Sequence, residues 1–166
     1  MRELIHLYKY GKVQTLARPL AELLRAALPR DEAWDAVAAV PLHWKRRWKR
    51  GFNQSELLAR DIARASGSAL IAPVRRVKST AVQAGLSNTA RRRNVATAFQ
   101  PKRSASLKDR RILLIDDVLT TGSTAAACAR ALKKAGAARV IVLTVARADR
   151  RSDGGRWTAG SIQGDS

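Results

Sequence analysis

The most regular hydrophobic pattern in the chain begins with an unbroken apolar run, Ile112 to Ile115. A short run without alternation predicts a strand that is buried on both faces. Gly136 suits the end of the helix that follows, and Arg139 to Ala146 predicts a final buried strand. This order of strand, helix and strand over 111–146 predicts one right-handed βαβ unit. The apolar residues of the helix are Ala125, Cys128, Ala129 and Leu132.

Two more helices are predicted earlier in the chain. The first begins near Pro19, which a first helical turn tolerates, and ends at Pro29 and Asp31. The second begins at Asn53, where Asn53-x-x-Glu56 fits a capping box, and Gly67 ends it. Both have an apolar stripe at helical spacing: Leu16, Leu20, Leu23, Leu24 and Ala27 in the first, Leu58, Ile62 and Ala65 in the second.

Three further segments predict strands. Trp34 to Val40 is apolar and stops at a proline, so we expect a buried strand. Ala69 to Val77 predicts one strand, interrupted by Pro73 and therefore suited to a sheet edge. Val95 to Phe99 predicts a short strand, and Pro101 to Asp109 a polar turn region. Together these elements predict an α/β protein with a central parallel sheet flanked by helices.

Two adjacent carboxylates, Asp116 and Asp117, end the central strand, and a small hydroxyl-rich turn, Val118 to Thr124, follows them. Hydroxyl groups, backbone N–H groups and a helix N-terminus together form a phosphate cradle, and Gly122 allows close backbone approach. The carboxylates would accept hydrogen bonds from sugar hydroxyls or hold hydrated Mg²⁺. The combination describes a site for a ribose 5-phosphate. The alternative is helix capping alone, which the cost of burying two charges argues against.

Positive charge is concentrated in one part of the chain. The 166 residues carry a net charge of +19, and 41–111 holds 18 basic and 3 acidic residues, hence +15. Such a field favours phosphate-rich ligands or nucleic acid, although a solvated basic face is the simpler explanation. The loop after Val40 places five basic residues around Trp44 and Trp48. It would suit stacked bases or a pyrophosphate equally well, and His43 in it is expected to be a scaffold residue.

A long segment without periodicity, Lys78 to Val95, contains Arg91-Arg92-Arg93. A mobile basic loop of this length would close over a bound polyphosphate and exclude water, or else it is only a solvated run of charges. No apolar run approaches the roughly 18 residues that span a bilayer, and no signal peptide is recognisable, so we expect a cytoplasmic protein. A single cysteine, Cys128, excludes an internal disulfide. The composition of 148–166 predicts a disordered tail.

Three stretches, in order, resemble the ComF family (competence protein F, or GntX-like) of type I phosphoribosyltransferases. They are PLHWKRRWKRGFNQS, RRVKSTAVQAGLSNTARRRN followed by Ala98-Phe99, and ILLIDDVLTTGST. The resemblance covers about 4–147 and implies a type I phosphoribosyltransferase-like domain over 1–147 with a small N-terminal hood. The paired CxxC zinc segment of most family members is absent here, so the chain is either a short form or truncated at its start.

The resemblance implies an enzyme that binds 5-phosphoribosyl 1-pyrophosphate (PRPP) and Mg²⁺. Such a glycosyltransferase transfers the phosphoribosyl group to an acceptor that the sequence does not name. Asp116 and Asp117 would bind the ribose hydroxyls and Mg²⁺, and Arg91 and Arg92 would cap the leaving group, which makes these four the catalytic candidates. The remaining candidate PRPP-binding residues are His43, Arg47, Val118, Thr120, Thr121, Gly122, Ser123 and Thr124.

A second hypothesis comes from the charge and from the link of the family to DNA uptake. In it the chain is a non-catalytic accessory protein that binds PRPP or single-stranded DNA and serves the competence machinery. Type I phosphoribosyltransferases are often dimers, so a homodimer remains open as well. Neither hypothesis involves membrane insertion.

Overall fold

Nine helices and strands are defined in the part of the chain that the structure, a computed structural model, describes: residues 17–42, 52–77, 97–119 and 121–147. In chain order they are α1 (Ala17–Ala26), β1 (Ala36–Ala39), α2 (Gln54–Ser66), β2 (Ala69–Ile71), β3 (Val74–Arg76), β4 (Phe99–Pro101), β5 (Arg111–Leu119), α3 (Ser123–Lys134) and β6 (Arg139–Arg147). None of the described helices is both long enough and apolar enough to cross a bilayer.

Four strands form a parallel sheet in the order β2-β1-β5-β6. Ile112 to Ile115 of β5 have no exposed surface, because β5 pairs with both β1 and β6 and has helices above and below it. This confirms the prediction of a strand buried on both faces. The predicted βαβ unit is confirmed too, since β5, α3 and β6 follow one another and β5 pairs with β6 in parallel.

Alternate residues of the sheet contribute to two separate cores, as the two-residue period of a strand requires. Val37, Leu113 and Ile115 pack against α1 and α2 on one face. Ala38, Ile112 and Leu114 belong to the core that contains α3 and the β3–β4 pair on the other face. The predicted central parallel sheet flanked by helices is therefore confirmed.

The predicted strand over Ala69–Val77 is wrong as a single element. Ala72 and Pro73 separate β2, which is an edge of the main sheet as expected, from β3, which pairs antiparallel with β4 in a second sheet. Proline has no N–H and a fixed φ, so the ladder stops there. The predicted strand at Val95–Phe99 is displaced, because β4 begins at Phe99 and Pro101, predicted as turn, is its last residue.

Two helix C-termini follow the sequence, whereas α1 already ends at Ala26, before its predicted end. Gly67 ends α2 in the left-handed region, with φ at 67°, as predicted. Gly136 directly follows the C-cap residue of α3, with φ at 100°. The predicted capping box at Asn53 is wrong: its side chain makes no cap hydrogen bond, and its amide Nδ2 instead donates to the Val40 carbonyl at 3.2 Å. The Asn53 side chain therefore makes a tertiary hydrogen bond and does not cap its own helix.

Candidate functional site

The acidic pair lies at the topological switch point of the sheet. From β1 the chain proceeds through α2 to β2 on one side, whereas β5 leads through α3 to β6 on the other. The carboxyl ends of β1 and β5 therefore border a crevice of the kind in which open α/β sheets bind ligands. Asp116 and Asp117 lie near the carboxyl end of β5, which continues to Leu119 rather than stopping before them.

The backbone of the acidic pair is held from two other elements. The Asp117 N–H lies 3.0 Å from Oδ1 of Asp116 and 3.1 Å from the Ser55 hydroxyl at the start of α2. The Asp117 carbonyl accepts a hydrogen bond of 3.3 Å from the Thr144 hydroxyl on β6. Oδ1 of Asp117 accepts from the Val118 N–H at 2.9 Å. The direction of the two carboxylates is thus fixed by α2, β5 and β6 together.

Burial distinguishes the two acids. Asp116 is 6% exposed, whereas Asp117 is half-buried. A carboxylate loses hydration when it is buried and needs polar or cationic neighbours in compensation. A ligand with hydroxyl groups, or a hydrated cation, would supply such neighbours at this edge of the sheet.

The start of α2 contributes three consecutive buried polar residues. Asn53, Gln54 and Ser55 are at most 7% exposed. Asn53 bonds to the residue after β1 and Ser55 bonds to β5, so the two residues bridge the crevice. The sequence predicted Asn53 as a helix cap within the family motif and assigned no role to Ser55. The feature of the sequence that could have indicated a role for Ser55 is the polar triplet Asn-Gln-Ser immediately before the apolar stripe of the helix.

The turn after β5 leads into the N-terminus of α3. Gly122 is the N-cap, with φ at 72°, and the Thr121 hydroxyl accepts from the N–H of Ser123, the first residue of the helix, at 3.4 Å. The Thr121 and Ser123 hydroxyls share a short hydrogen bond, and Thr121 is exposed while Ser123 and Thr124 are partly buried. A helix N-terminus with hydroxyl groups beside it favours an anion.

Cys128 of α3 belongs to the core on the α3 face of the sheet and is 1% exposed. Burial raises the pKa of its thiol to about 12; the Asp116 carboxylate adds to the rise, and the Arg76 guanidinium opposes it. The thiol therefore stays protonated at neutral pH and acts as an apolar packing group.

Several predicted site residues lie outside the described residues: His43, Arg47, Arg91, Arg92 and Thr120. The described part brings together Asp116, Asp117 and Val118 with Thr121–Thr124 along one edge of the sheet. It contains no group of three or more His, Cys, Asp or Glu side chains that would hold a metal ion by themselves. Two carboxylates still fit Mg²⁺, which proteins bind through one or two carboxylates, water and substrate phosphates.

Comparison with known proteins agrees with this geometry. A family model described as the phosphoribosyl transferase domain matches residues 53–166, which include α2, β5 and the whole turn into α3. The chain belongs to the phosphoribosyl transferase family. The candidate site residues in β5 and α3 lie inside the matched residues.

Curated relatives place this phosphoribosyl transferase chain beside competence proteins, as expected from its motifs. Competence protein F of Haemophilus influenzae is 38% identical over 154 residues, covering 87% of this chain and 67% of that protein. DNA utilization protein YhgH of Escherichia coli strain K12 is 35% identical over 151 residues, covering 87% and 66%. The chain thus spans about two thirds of the length of these relatives.

Solved structures confirm the fold. Adenine phosphoribosyltransferase from Thermoanaerobacter pseudethanolicus superposes with a TM-score of 0.54 at 21% identity, over 82% of this chain and 70% of that one. Glutamine PRPP amidotransferase from B. subtilis gives 0.52 at 19% identity, over 78% of this chain and 26% of that one. At these identities the likeness concerns the fold, and it bears out the predicted phosphoribosyltransferase-like architecture.

Proposed function

We propose that the chain binds PRPP together with Mg²⁺ at the crevice between β1 and β5 and transfers the phosphoribosyl group to an acceptor. One observation carries the proposal: the Asp116–Asp117 pair is fixed at the switch point of the sheet, next in the chain to the hydroxyl-rich turn that begins α3. The carboxylates suit the ribose hydroxyls, and the turn at Thr121–Thr124 suits the 5-phosphate.

Asp116 and Asp117 are the residues that would hold Mg²⁺, directly or through water. When bound, the ion supplies positive charge that neutralises the departing pyrophosphate. Val118 and the Gly122 turn would present backbone N–H groups to the 5-phosphate. We also propose that His43, Arg47 and Thr120 contact PRPP and that Arg91 and Arg92 cap the leaving group. Positioning and charge neutralisation would then account for most of the catalysis, with little need for proton transfer.

The proposal is tested by calorimetric titration of PRPP with Mg²⁺ into the wild type and the double variant Asp116→Asn/Asp117→Asn. We expect metal-dependent binding in the wild type and a loss of about 100-fold or more in the double variant. Hydrogen bonds to charged groups contribute about 1.5–3 kcal/mol each, and two carboxylates are removed.

Asp61→Asn is the matched control, because Asp61 is an acid on α2 whose carboxylate pairs with Arg25 at 3.3 Å, away from the crevice. It should bind PRPP as the wild type does. Absence of PRPP binding by a folded wild type would overturn the proposed function. Metal-dependent binding without turnover on a wide set of acceptors would retain the site but reject the transferase activity.

A second candidate function is a non-catalytic role in DNA uptake, in which the chain binds single-stranded DNA, with or without PRPP. Two observations favour it. The 41–111 region carries a net charge of +15, and the relatives bear the names competence protein F and DNA utilization protein. Single-stranded nucleic acid is bound by basic grooves with aromatic side chains, and Trp44 and Trp48 stand among basic residues in the sequence.

A further inference from the structure

The two helical layers of the molecule differ in charge. On the side of α1 and α2, cations lie beside acids: Arg25 is 3.3 Å from Asp61, and Arg60 is 3.5 Å from Glu56. On the other side lie α3 and the segment 102–110, in which Asp109 is the only acid. We call this second surface the basic α3 surface. It exposes seven cations that form no ion pair among the described residues: Lys102, Arg103, Lys108, Arg110, Arg130, Lys133 and Lys134.

The basic α3 surface is connected because the segment 102–110 is held against the end of α3. The Leu107 side chain belongs to the same core as Leu132 of α3. The Leu107 N–H donates to the Ala135 carbonyl at 2.8 Å, and the Asp109 N–H donates to the Gly136 carbonyl at 3.2 Å. The cations of both segments therefore project from neighbouring backbone, although the whole of β5 separates them in the sequence. Those of α3 also lie outside the 41–111 region whose charge the sequence singles out.

Helix capping explains only a small part of this charge. Lys133 and Lys134 belong to the last turn of α3, where the helix dipole favours cations. The Lys133 ammonium group also donates to the Ala138 carbonyl at 2.9 Å. The other five cations have no such role in the described structure, and seven cations against one acid leave a net charge of +6 on one face. This surplus favours a ligand with many negative charges.

The surroundings of the cations favour phosphate groups over a lipid bilayer. Among the described residues, the large hydrophobic side chains that are exposed are Leu23 on α1 and Leu70 on β2, neither of which belongs to the basic α3 surface. Surfaces that lie on a bilayer combine basic residues with apolar side chains that enter it. Here the exposed side chains between Arg103 and Lys108 include the hydroxyl groups of Ser104 and Ser106, and serine hydroxyls donate to phosphate oxygens alongside Lys and Arg.

The same surface lacks the groups that recognise bases by stacking. Neither α3 nor the segment 102–110 contains a Phe, Trp or Tyr residue. Proteins that hold single strands through their bases stack those bases on aromatic rings. A surface with cations and hydroxyl groups alone would contact the phosphates, and phosphate contacts carry no sequence information.

We propose that the basic α3 surface binds the phosphate backbone of nucleic acid, without regard to base sequence and to single strands and duplexes alike. The proposal rests on the second candidate function and gives it a location. That location lies apart from the PRPP crevice at the carboxyl edge of the sheet and does not involve Trp44 or Trp48. The molecule would thus hold a nucleic acid on one face while the crevice stays open to a small ligand.

The test compares two quadruple variants of the full chain that remove the same charge from opposite faces. The first, on the basic α3 surface, is Arg103→Gln/Lys108→Gln/Arg130→Gln/Lys134→Gln. The matched control is Arg25→Gln/Arg30→Gln/Arg60→Gln/Arg64→Gln. All eight residues are exposed, so both variants should fold, which circular dichroism checks. The two ion pairs lost in the control contribute at most about 1 kcal/mol each.

Fluorescence anisotropy measures the binding of a labelled mixed-sequence oligonucleotide, as a single strand and as a duplex. At about 100 mM salt we expect the first variant to lose about 100-fold or more in affinity for both forms, because four phosphate contacts are removed. Its salt dependence should become shallower by about 0.7 per lost contact for the single strand and about 0.9 for the duplex. The control should stay within about threefold of the wild type, since charges more than about 10 Å away are screened.

Equal losses in the two variants would overturn the proposal, because net charge alone would then account for binding. Loss of DNA binding in Trp44→Ala/Trp48→Ala but not in the first variant would retain the second candidate function and overturn this location. Vesicles of equimolar phosphatidylcholine and phosphatidylglycerol are tested in the same way. Tighter binding to these vesicles than to DNA, lost in the first variant, would assign the surface to a membrane and overturn the proposal.

PRPP with Mg²⁺ is titrated into the same wild-type sample. DNA binding through the basic α3 surface without PRPP binding would support this proposal and overturn the proposed PRPP site. PRPP binding without any DNA binding would do the reverse. Where both ligands bind, the first variant should bind PRPP as the wild type does, since none of its four residues belongs to the crevice.

Discussion

Two hydroxyl groups from distant parts of the sequence determine how the acidic pair is presented. The Ser55 hydroxyl lies 3.1 Å from the Asp117 N–H, and the Thr144 hydroxyl bonds to the Asp117 carbonyl and to the Ala146 carbonyl. Both side chains are buried. They hold the peptide groups on either side of Asp117. Their effect on the proposed ligand is therefore indirect, through the position of the carboxylates.

Ser55→Ala should therefore lower the affinity for PRPP and Mg²⁺ about fivefold to tenfold. One lost hydrogen bond costs about 1 kcal/mol, and about 1.4 kcal/mol corresponds to a factor of ten. Calorimetric titration measures the effect. Asp117 would keep its charge and the contact of its N–H with Oδ1 of Asp116 but lose the contact with α2, so binding weakens without being abolished.

Ser66→Ala is the control for this prediction, since Ser66 lies at the other end of α2 and its hydroxyl donates to the Ile62 carbonyl at 2.9 Å. Both variants should lose a comparable amount of thermal stability, but Ser55→Ala alone should lose affinity. Equal affinities in the two variants would show that Ser55 serves the fold and does not position Asp117.

At the scale of elements, an exposed contact aligns the starts of β1 and β5. Oδ2 of Asp35 accepts from the Arg111 N–H at 2.7 Å, and Oδ1 accepts from its guanidinium at 3.2 Å. The Asp35 N–H donates to the Arg111 carbonyl at 2.8 Å. The side-chain hydrogen bond to Arg111, followed by the backbone one, lowers the pKa of Asp35 from its ordinary value.

This pKa shift predicts a pH-dependent effect of Asp35→Asn. A carboxyl group with a lowered folded-state pKa stabilises the fold above its unfolded value of about 3.9 and loses that effect as pH falls through the folded value. The wild type should therefore resist urea better than the variant near neutral pH, and the gap should narrow in acid. Urea denaturation of both proteins, from neutral pH down to below the folded-state pKa of Asp35, measures the difference in stability. A gap of constant size down to the folded pKa and below would show that ionisation of Asp35 contributes nothing.

Gly136 enables the tight turn between α3 and β6. Its φ is 100°, and a Cβ there would lie 3.1 Å from the backbone nitrogen of Lys108. The neighbouring backbone is fixed, because the Asp109 N–H donates to the Gly136 carbonyl and the Leu107 N–H donates to the Ala135 carbonyl. A side chain at this position meets both backbone strain and a close contact.

Gly136→Ala should accordingly be more destabilising than Gly67→Ala. Gly67 also has a positive φ, at 67°, but a Cβ there meets nothing within 4 Å. We expect a cost of about 1–2 kcal/mol at Gly67 for the left-handed backbone, and about 1–3 kcal/mol more at Gly136 for overpacking. Urea denaturation of both variants tests this, and equal costs would contradict the close contact with Lys108.

At the scale of the whole molecule, charge separates the two candidate functions. A net charge of +19 predicts affinity for polyanions irrespective of the fold. Affinity for single-stranded DNA should fall steeply between about 50 and 200 mM salt, with a slope near −0.7 per phosphate neutralised. Binding of PRPP with Mg²⁺ in a crevice should change much less.

Fluorescence anisotropy of a labelled oligothymidine measures the salt dependence, with Asp116→Asn/Asp117→Asn as the comparison. The double variant should retain DNA binding, because it removes negative charge, while it loses PRPP. DNA affinity that is independent of salt, or that vanishes in the double variant, would contradict separate binding modes for the two ligands.

Local pattern predicted some parts of this molecule well and others poorly. The buried strand β5, the following helix and β6 were predictable because each buries its apolar residues with one clear period. The capping box at Asn53 failed because a local cap competed with a contact to Val40, thirteen positions earlier. The prediction of a single strand over Ala69–Val77 failed because only Pro73 indicates that this segment contributes to two different sheets.

The sequence by itself determined the chemistry: two carboxylates, a glycine turn, a helix N-terminus and a strongly basic neighbourhood all follow from adjacent residues. The tertiary structure alone decided what surrounds that chemistry. It placed Ser55 and Thr144 against the acidic pair and brought the cations of 102–110 and α3 onto one face. The physical reason is that backbone conformation and hydrophobic period are local properties. A hydrogen bond across 62 positions, or a surface shared by two segments, depends instead on how complete elements pack.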